Sequence, residues 1–201
     1  MQAADGTGDA VRIATAEVGG SYGSWSSDGR MLLFDRVDSS TGNDIWMVGR
    51  DSGTAPQPFL QTRFNEFSPR LSPDSRWIAY VSNESGRNEV YLRRFPDASA
   101  KRQISTGGGD VPAWSRDGRR LFFSNGEQMM AVEISGGTEV VGSQPRLLFK
   151  GAYLRRGAGL NYDVAPDGRH FAMIVPAEPE SLHEIALVTN WFEDLKRRVP
   201  R

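Results

Sequence analysis

The chain has 201 residues, 24 Lys and Arg against 25 Asp and Glu, a net charge of −1 at pH 7 and no cysteine. This balance excludes a general nucleic-acid binder, which needs a basic field, and the missing cysteines exclude disulfides and thiolate zinc sites. No apolar stretch approaches the roughly 20 residues that cross a bilayer, so no membrane contact is expected from this segment, and the first residues lack the basic and apolar regions of a signal peptide.

Residues 1–10 read as a linker or disordered terminus. Val11-Arg12-Ile13-Ala14-Thr15 is a strand candidate ahead of the Gly-rich stretch Gly19 to Gly23. Next comes a phrase that organises the chain: Trp25-Ser26-Ser27-Asp28-Gly29-Arg30, followed by the apolar run Met31 to Phe34. Asp44 to Val48 supplies a third strand and Pro58 to Leu60 a weaker outer one. The order returns with Leu71-Ser72-Pro73-Asp74-Ser75-Arg76, the run Trp77 to Val81, then Glu89 to Leu92 and Gln103 to Ser105. It returns again with Trp114-Ser115-Arg116-Asp117-Gly118-Arg119, Leu121 to Phe123, Met129 to Ile134 and Arg146 to Phe149. The fourth copy is Val164-Ala165-Pro166-Asp167-Gly168-Arg169, with Phe171 to Val175 and Glu184 to Val188.

In each unit an inner strand ends at Trp25, Leu71, Trp114 or Val164, and the Asp-Gly segment turns the chain into the second strand. Asp hydrogen-bonds to the backbone just ahead, and Gly tolerates the positive φ of a tight hairpin. Ser75 stands where the glycine belongs, which makes the second turn the weakest match. The aspartates lie 46, 43 and 50 residues apart (Asp28 to Asp74, Asp74 to Asp117, Asp117 to Asp167). A four-stranded propeller blade takes about 40–45 residues. The 22 Gly and 11 Pro, with no sustained 3.6-residue apolar stripe, argue against helical repeats of similar length. The expected fold is therefore all-β: a β-propeller with about four four-stranded antiparallel blades over residues 11–189. Either the N-terminal strand completes the fourth blade of a small ring, or the chain is part of a larger propeller. The second arrangement is the expectation, because four blades are the low end of the known range.

The phrase Trp-Ser-x-Asp-Gly-Arg before an apolar strand, with Ile45-Trp46 or Val90-Tyr91 about a dozen residues later, resembles the repeat of TolB-like β-propellers, relatives of the WD-repeat group. The resemblance covers Tyr22 to Val188 and speaks to fold more than to function. The tail from Ala186 through Asn190-Trp191-Phe192 to Pro200 resembles the end of propellers that close certain bacterial serine/threonine protein kinases. That likeness implies a C-terminal sensor or scaffold whose kinase domain lies upstream; no kinase motif occurs here. Such an attachment to a membrane-bound kinase would place the propeller outside the cytoplasm; composition alone does not set the compartment. Residues 190–201 read as a helical or extended tail; as a short helix it has Asn190 and Glu193 at capping-box spacing and Trp191 and Leu195 on one face.

Gly19-Gly20-Ser21-Tyr22-Gly23 matches the nucleophile-elbow pattern, but the elbow needs a strand before the serine and a helix after it. A hairpin follows instead, and Ser21 is read as part of a return loop. Asp51-Ser52-Gly53 is read as a polar turn. Gly107-Gly108-Gly109 lacks the Gly-Lys-Ser/Thr of a phosphate loop, and the two histidines, His170 and His183, are read as surface residues rather than metal ligands. Trp25, Trp46, Trp77 and Trp114 are read as blade core. No catalytic residue, metal or cofactor is expected. Loops from an outer strand to the next inner strand crowd one mouth of a propeller, where binding usually occurs. This places candidate ligand contacts at Arg63, Asn65, Asp110, Arg155, Arg156 and Asn161. The expected partner is a protein or peptide, or else a small ligand. The alternatives are a TolB-type periplasmic envelope module and a propeller accessory to a hydrolase.

Overall fold

A computed structural model describes residues 9, 23–50, 55–135, 141–153 and 162–174. These residues form antiparallel sheets joined in chain order, and no helix occurs among them. The first sheet is a four-stranded meander of β1 (Gly23–Trp25), β2 (Met31–Asp38), β3 (Gly42–Gly49) and β4 (Gln57–Leu60). The second repeats it with β5 (Glu66–Leu71), β6 (Trp77–Ser82), β7 (Glu89–Arg94) and β8 (Lys101–Gln103). In the third, β9 (Asp110–Trp114), β10 (Arg120–Asn125) and β11 (Gln128–Ser135) are followed by a divided outer edge. Both β12 (Val141–Gly142) and β13 (Arg146–Lys150) pair with β11. A fourth sheet is described through β14 (Tyr162–Val164) and β15 (Phe171–Met173). The inner strands end at the four expected positions. The strand candidates 11–15 and 184–188 and the tail 190–201 lie outside the described residues.

Strand periodicity explains how the sheets stack. Successive side chains of a strand point to opposite faces. In β6, Ile78 and Tyr80 join the seam with the first sheet, beside Leu33, Ile45 and Phe59, while Trp77 and Ala79 join the seam with the third, beside Leu121 and Phe123. All six residues of β6 are buried, which is why its sequence is a continuous apolar run rather than an alternating one. In β10, Leu121 and Phe123 face the second sheet, whereas Phe122 faces the seam with the fourth, near Met129 and Tyr162. Each fully buried Leu, Ile or Phe contributes about 1.5–3 kcal/mol through burial, so three apolar seams hold four blades in a row.

The tryptophans divide. Trp77 is buried in the second seam. Trp114 is half-buried and donates its indole N–H to the Arg70 carbonyl of the preceding blade at 3.0 Å. Trp46 is half-buried under the Arg36 guanidinium, 4.6 Å from its ring centroid. Trp25, expected in the core, is instead 41% exposed. It sits at the position of Trp114, but among the described residues no earlier blade offers it a carbonyl or a packing face. Register places Trp25, Leu32, Phe34 and Trp46 on the sheet face that points away from the second blade.

One outer strand also departs from expectation. β8 spans Lys101–Gln103 rather than starting at Gln103, because the backbone N–H groups of Ile104 and Ser105 both turn to the Val90 carbonyl. Ser105 Oγ then accepts the Val90 N–H at 2.7 Å, and a side chain replaces the ladder.

Candidate functional site

The meander puts two kinds of connection at opposite ends of the blades. The Asp-Gly turns and the links from third to outer strand lie at one end, here the turn end. The hairpins between second and third strands and the links to the next blade lie at the other, the loop end.

Each turn has an internal brace. Ser26 Oγ donates to Asp28 Oδ1 at 2.6 Å and accepts the Met31 N–H at 2.9 Å, while Asp28 Oδ1 also accepts the Arg30 N–H at 3.0 Å. The second turn repeats this with Ser72, Asp74, Trp77 and Arg76, and the third with Ser115, Asp117, Arg120 and Arg119. In the fourth, Ala165 has no hydroxyl. The His170 N–H then reaches Asp167 Oδ1 directly at 3.2 Å, and the His170 ring sits 2.5 Å from Oδ2. Donation by the serine hydroxyl, with the backbone N–H behind it, holds the carboxyls of Asp28 and Asp117 below their ordinary range. In Asp167 the Arg169 backbone N–H is the main cause, and the carboxyl falls to about 2. Gly29, Gly118 and Gly168 adopt φ of 67°, 70° and 62°, and Ser75 follows them at 53°. The serine that broke the pattern thus makes the same turn. Its hydroxyl accepts the Ser27 N–H at 2.7 Å and so ties the first turn to the second.

At the loop end, buried carboxylates tie the loops to the strands. Asp44 is fully buried and accepts from Thr41 Oγ1 at 2.6 Å and Gln61 Nε2 at 3.2 Å. Glu89, at the equivalent place in the second blade, accepts the Ser105 hydroxyl and the N–H groups of Gly107 and Gly108, both at 2.8 Å. The Gly-rich loop is therefore a nest for an anion, and the chain's own Glu89 fills it. Glu66 is 2% exposed and accepts from Thr62 Oγ1 at 2.6 Å. Burial, and then the neighbouring Asp44 charge, push its carboxyl above the ordinary range.

The candidate contacts separate on this frame. Arg63 is exposed, with its guanidinium 5.0 Å from the Phe64 ring centroid. Asn65 is engaged internally: its Oδ1 accepts the Asn43 N–H at 3.1 Å, and its backbone N–H donates to Asn83 Oδ1 at 3.0 Å. Asp110 is half-buried and accepts the Val111 N–H at 2.8 Å. The structure thus brings Arg63, Asn65 and Asp110 to one end of the blades. Arg155, Arg156 and Asn161 lie outside the described residues, as do Ser21, Ser52 and His183. Among the described residues no group of three or more His, Asp or Glu could hold a metal.

Two clefts open at the turn end. The larger, about 560 Å³, lies between the second and third turns and is lined by Arg76, Trp77, Trp114, Arg119 and Ile134 among others. The smaller, about 340 Å³, lies between the third and fourth turns, with Arg116, Arg120 and Pro166. Sequence reading missed this end. It also missed the bracing serines and the buried carboxylates; the recurrence of serine two residues before each of the first three turn aspartates was a signal for the serines alone.

No family model matches the sequence. Over 118 residues the chain is 27% identical to the uncharacterized protein Atu1656 of Agrobacterium fabrum, an overlap of 58% of this chain and 40% of that protein. Over 78 residues it is 42% identical to the Tol-Pal system protein TolB of Pseudomonas aeruginosa, covering 38% of this chain and 18% of TolB. Among solved structures, a protein from Agrobacterium tumefaciens assigned as TolB superposes with a TM-score of 0.53 at 21% identity, over 69% of this chain and 53% of that one. The fold is a TolB-like β-propeller. A protein from Bacteroides uniformis assigned as a 6-phosphogluconolactonase superposes with a TM-score of 0.52 at 16% identity, over 85% of this chain and 55% of that one. The chain thus spans under half the length of the curated relatives it matches and about half of these solved structures.

Proposed function

We propose that the chain is a non-catalytic binding module that engages a protein or peptide through its loop end. The supporting observation is a fixed frame with variable tips. In successive blades Asp44 and Glu89 each hold the following loop, Asp44 through the Gln61 side chain and Glu89 through the Gly107 and Gly108 N–H groups, yet the tip carries Arg63 and Phe64 in one and Gly107 and Gly108 in the next. A rigid scaffold with exchangeable loop tips suits recognition. Arg63 is the leading contact, with Arg155, Arg156, Asn161 and Asp110 as further candidates; Asn65 then serves the frame. Affinity capture with the chain as bait, compared with an Arg63→Ala, Arg155→Ala, Arg156→Ala variant, tests this. Partners retained by the triple variant would refute the loop end as the contact surface.

Two attachments are compatible with the module. The likeness of the tail to kinase-terminal propellers supports a place downstream of a serine/threonine kinase domain. The TolB match supports a role in an envelope assembly of the Tol-Pal kind. Kinase motifs in the gene upstream of Met1 would favour the first, and an export signal there the second. An enzymatic reading, drawn from the superposed protein assigned as a lactonase and from the hydrolase-accessory alternative, is tested with lactone, ester and peptide substrates. Turnover lost on Ser21→Ala would overturn the non-catalytic reading.

A further inference from the structure

Where Gly follows Asn or Asp, its backbone nitrogen meets the side-chain carbonyl carbon with no Cβ in the way, and ring closure gives a cyclic imide. The chain has one Asn-Gly pair, Asn125-Gly126, and four Asp-Gly pairs; its other six asparagines precede Asp, Glu, Tyr or Trp. Three of the Asp-Gly pairs are the turns at Asp28, Asp117 and Asp167, and Asp5-Gly6 lies outside the described residues. The fold closes the imide route in the turns. The nitrogens of Gly29, Gly118 and Gly168 each donate to the carbonyl three residues back, on Ser26, Ser115 and Ala165, at 2.8, 2.9 and 2.8 Å. The carbons they would attack belong to carboxylates that the donors of their own turns hold ionised, and an anion resists a nucleophile. The hairpin between β10 and β11 differs. Asn125 pairs with Gln128, so Gly126 and Glu127 form a two-residue loop, with Gly126 at the positive φ of 60° that its first position requires. Among the described residues no hydrogen bond engages the Gly126 N–H, and no atom beyond its chain neighbours lies within 4 Å of the place a Cβ would take. The Asn125 side chain is a neutral amide, half-buried at a loop tip.

We propose that Asn125 is a spontaneous modification site, at which the chain deamidates through an imide to aspartate and isoaspartate. The Gly126 nitrogen bonds to Asn125 Cγ and gives its proton to solvent. The Cγ–Nδ2 bond breaks, and the amide nitrogen takes up a proton from water and leaves as ammonia. Water then opens the ring. Attack at Cγ gives aspartate, and attack at the backbone carbonyl carbon gives isoaspartate, with the main chain running through the side chain. Water is the one co-reactant, and nothing is oxidised or reduced. Loop tips open more readily than core strands, which gives the pair the backbone freedom to close the ring. The product alters the neighbouring loop. Asn125 Nδ2 donates to the Gly107 carbonyl at 3.4 Å, and Oδ1 lies 2.7 Å from the place a Cβ on Gly108 would take. A carboxylate there has no proton to donate and faces the Gly107 carbonyl oxygen. Glu89 already holds the N–H groups of Gly107 and Gly108. The reaction therefore sets a second carboxylate beside this loop and removes one of its ties, a slow and one-way loosening at the loop end. It does not rest on the binding-module reading.

The test keeps the full chain at mildly alkaline pH and physiological temperature for several weeks, with samples digested by trypsin and mapped by mass spectrometry. The tryptic peptide 121–146 carries Asn125 and no other asparagine. It should gain the mass difference between amide and acid at least tenfold faster than any other asparagine peptide. Isoaspartate, which endoproteinase Asp-N does not cut, should accompany the change. Peptides with Asp28, Asp117 and Asp167 should form no isoaspartate in buffer and begin to form it in urea, where the turns are lost. Asn125→Gln, which would need a larger ring, should abolish the mass change. Asn125→Asp, which supplies the charge with the normal linkage, should speed hydrogen exchange at the Gly107 and Gly108 amides and leave β6 unchanged. Unaltered melting temperatures identify both variants as folded. Faster deamidation at another asparagine, an intact Asn125 amide at the end of the incubation, or isoaspartate at the three turns as fast in buffer as in urea would each overturn the proposal. Unchanged exchange at Gly107 and Gly108 in Asn125→Asp would overturn the loosening of the loop.

Discussion

Removing one hydroxyl from the third turn, by Ser115→Ala, tests the brace directly. Ser115 is 1% exposed; its Oγ donates to Asp117 Oδ1 at 2.6 Å and accepts the Arg120 N–H at 2.9 Å. Each bond contributes about 0.5–1.5 kcal/mol net, and stranding a buried partner costs about 1–3 kcal/mol. The fourth turn bounds the loss from above: with Ala165 in place the following N–H swings onto Asp167, so some of the bonding is recovered. Ser115→Ala should therefore destabilise the chain by about 1–2 kcal/mol, and Ala165→Ser should stabilise it by about 0.5–1 kcal/mol. Urea unfolding followed by tryptophan fluorescence reads both as shifts in midpoint at constant slope. The effect also has a pH signature. The Ser115 hydroxyl helps to hold Asp117 below its ordinary range, so this contribution is present above the unfolded pKa of about 4 and is lost as pH falls through the folded value. The Ser115→Ala deficit should accordingly shrink below about pH 4. A neutral-pH change under about 0.5 kcal/mol, the range of inert surface substitutions, would refute the brace.

Other substitutions probe other links. Ser75→Gly should be near neutral, because relief of the left-handed backbone, about 1 kcal/mol, offsets the lost bond to Ser27. Ser75→Ala keeps the strain, loses the bond and should lower stability by about 1 kcal/mol in the same urea assay. Tyr162→Phe removes the hydroxyl that donates to the Val111 carbonyl at 2.7 Å across the third seam, and should cost about 1–2 kcal/mol. Gly109→Ala would set a Cβ 2.3 Å from Ser105 Oγ and 2.8 Å from its Cβ, beside the Glu89 latch; loss of soluble folded protein or a clear drop in melting temperature is expected. Glu66 titrates above its ordinary range because it is buried, so its ionisation opposes folding as pH rises past the unfolded value. Glu66→Gln should raise the urea midpoint at pH 7 and lose that advantage near pH 4.

The seams were legible because their cause is periodic. An uninterrupted run such as Trp77 to Val81 suits a strand buried on both faces, and Asp-Gly pairs dictate where such strands turn. Ser75 misled because residue type stood in for geometry: a serine can take a positive φ when its hydroxyl gains a partner, and Ser27 of the neighbouring turn supplies one. The buried carboxylates were invisible for a different reason. Asp44 and Glu89 look like ordinary polar residues at strand ends; their role depends on donors 16 or more residues away, at Gln61, Ser105 and Gly107. The internal engagement of Asn65 is hidden for the same reason, since nothing local reveals its bond to Asn43. The clefts depend on the spacing between neighbouring turns, which no single repeat encodes.

Burial of β6 on both faces has a consequence for how the molecule opens. Detaching the second or third blade exposes two apolar seams, whereas detaching the first exposes one among the described residues. In a linear array with nearest-neighbour coupling, fraying therefore begins at the ends. Amide hydrogens of β6, β7 and β10 should be the last to exchange, and those of the end strands β1, β2, β14 and β15 should go first.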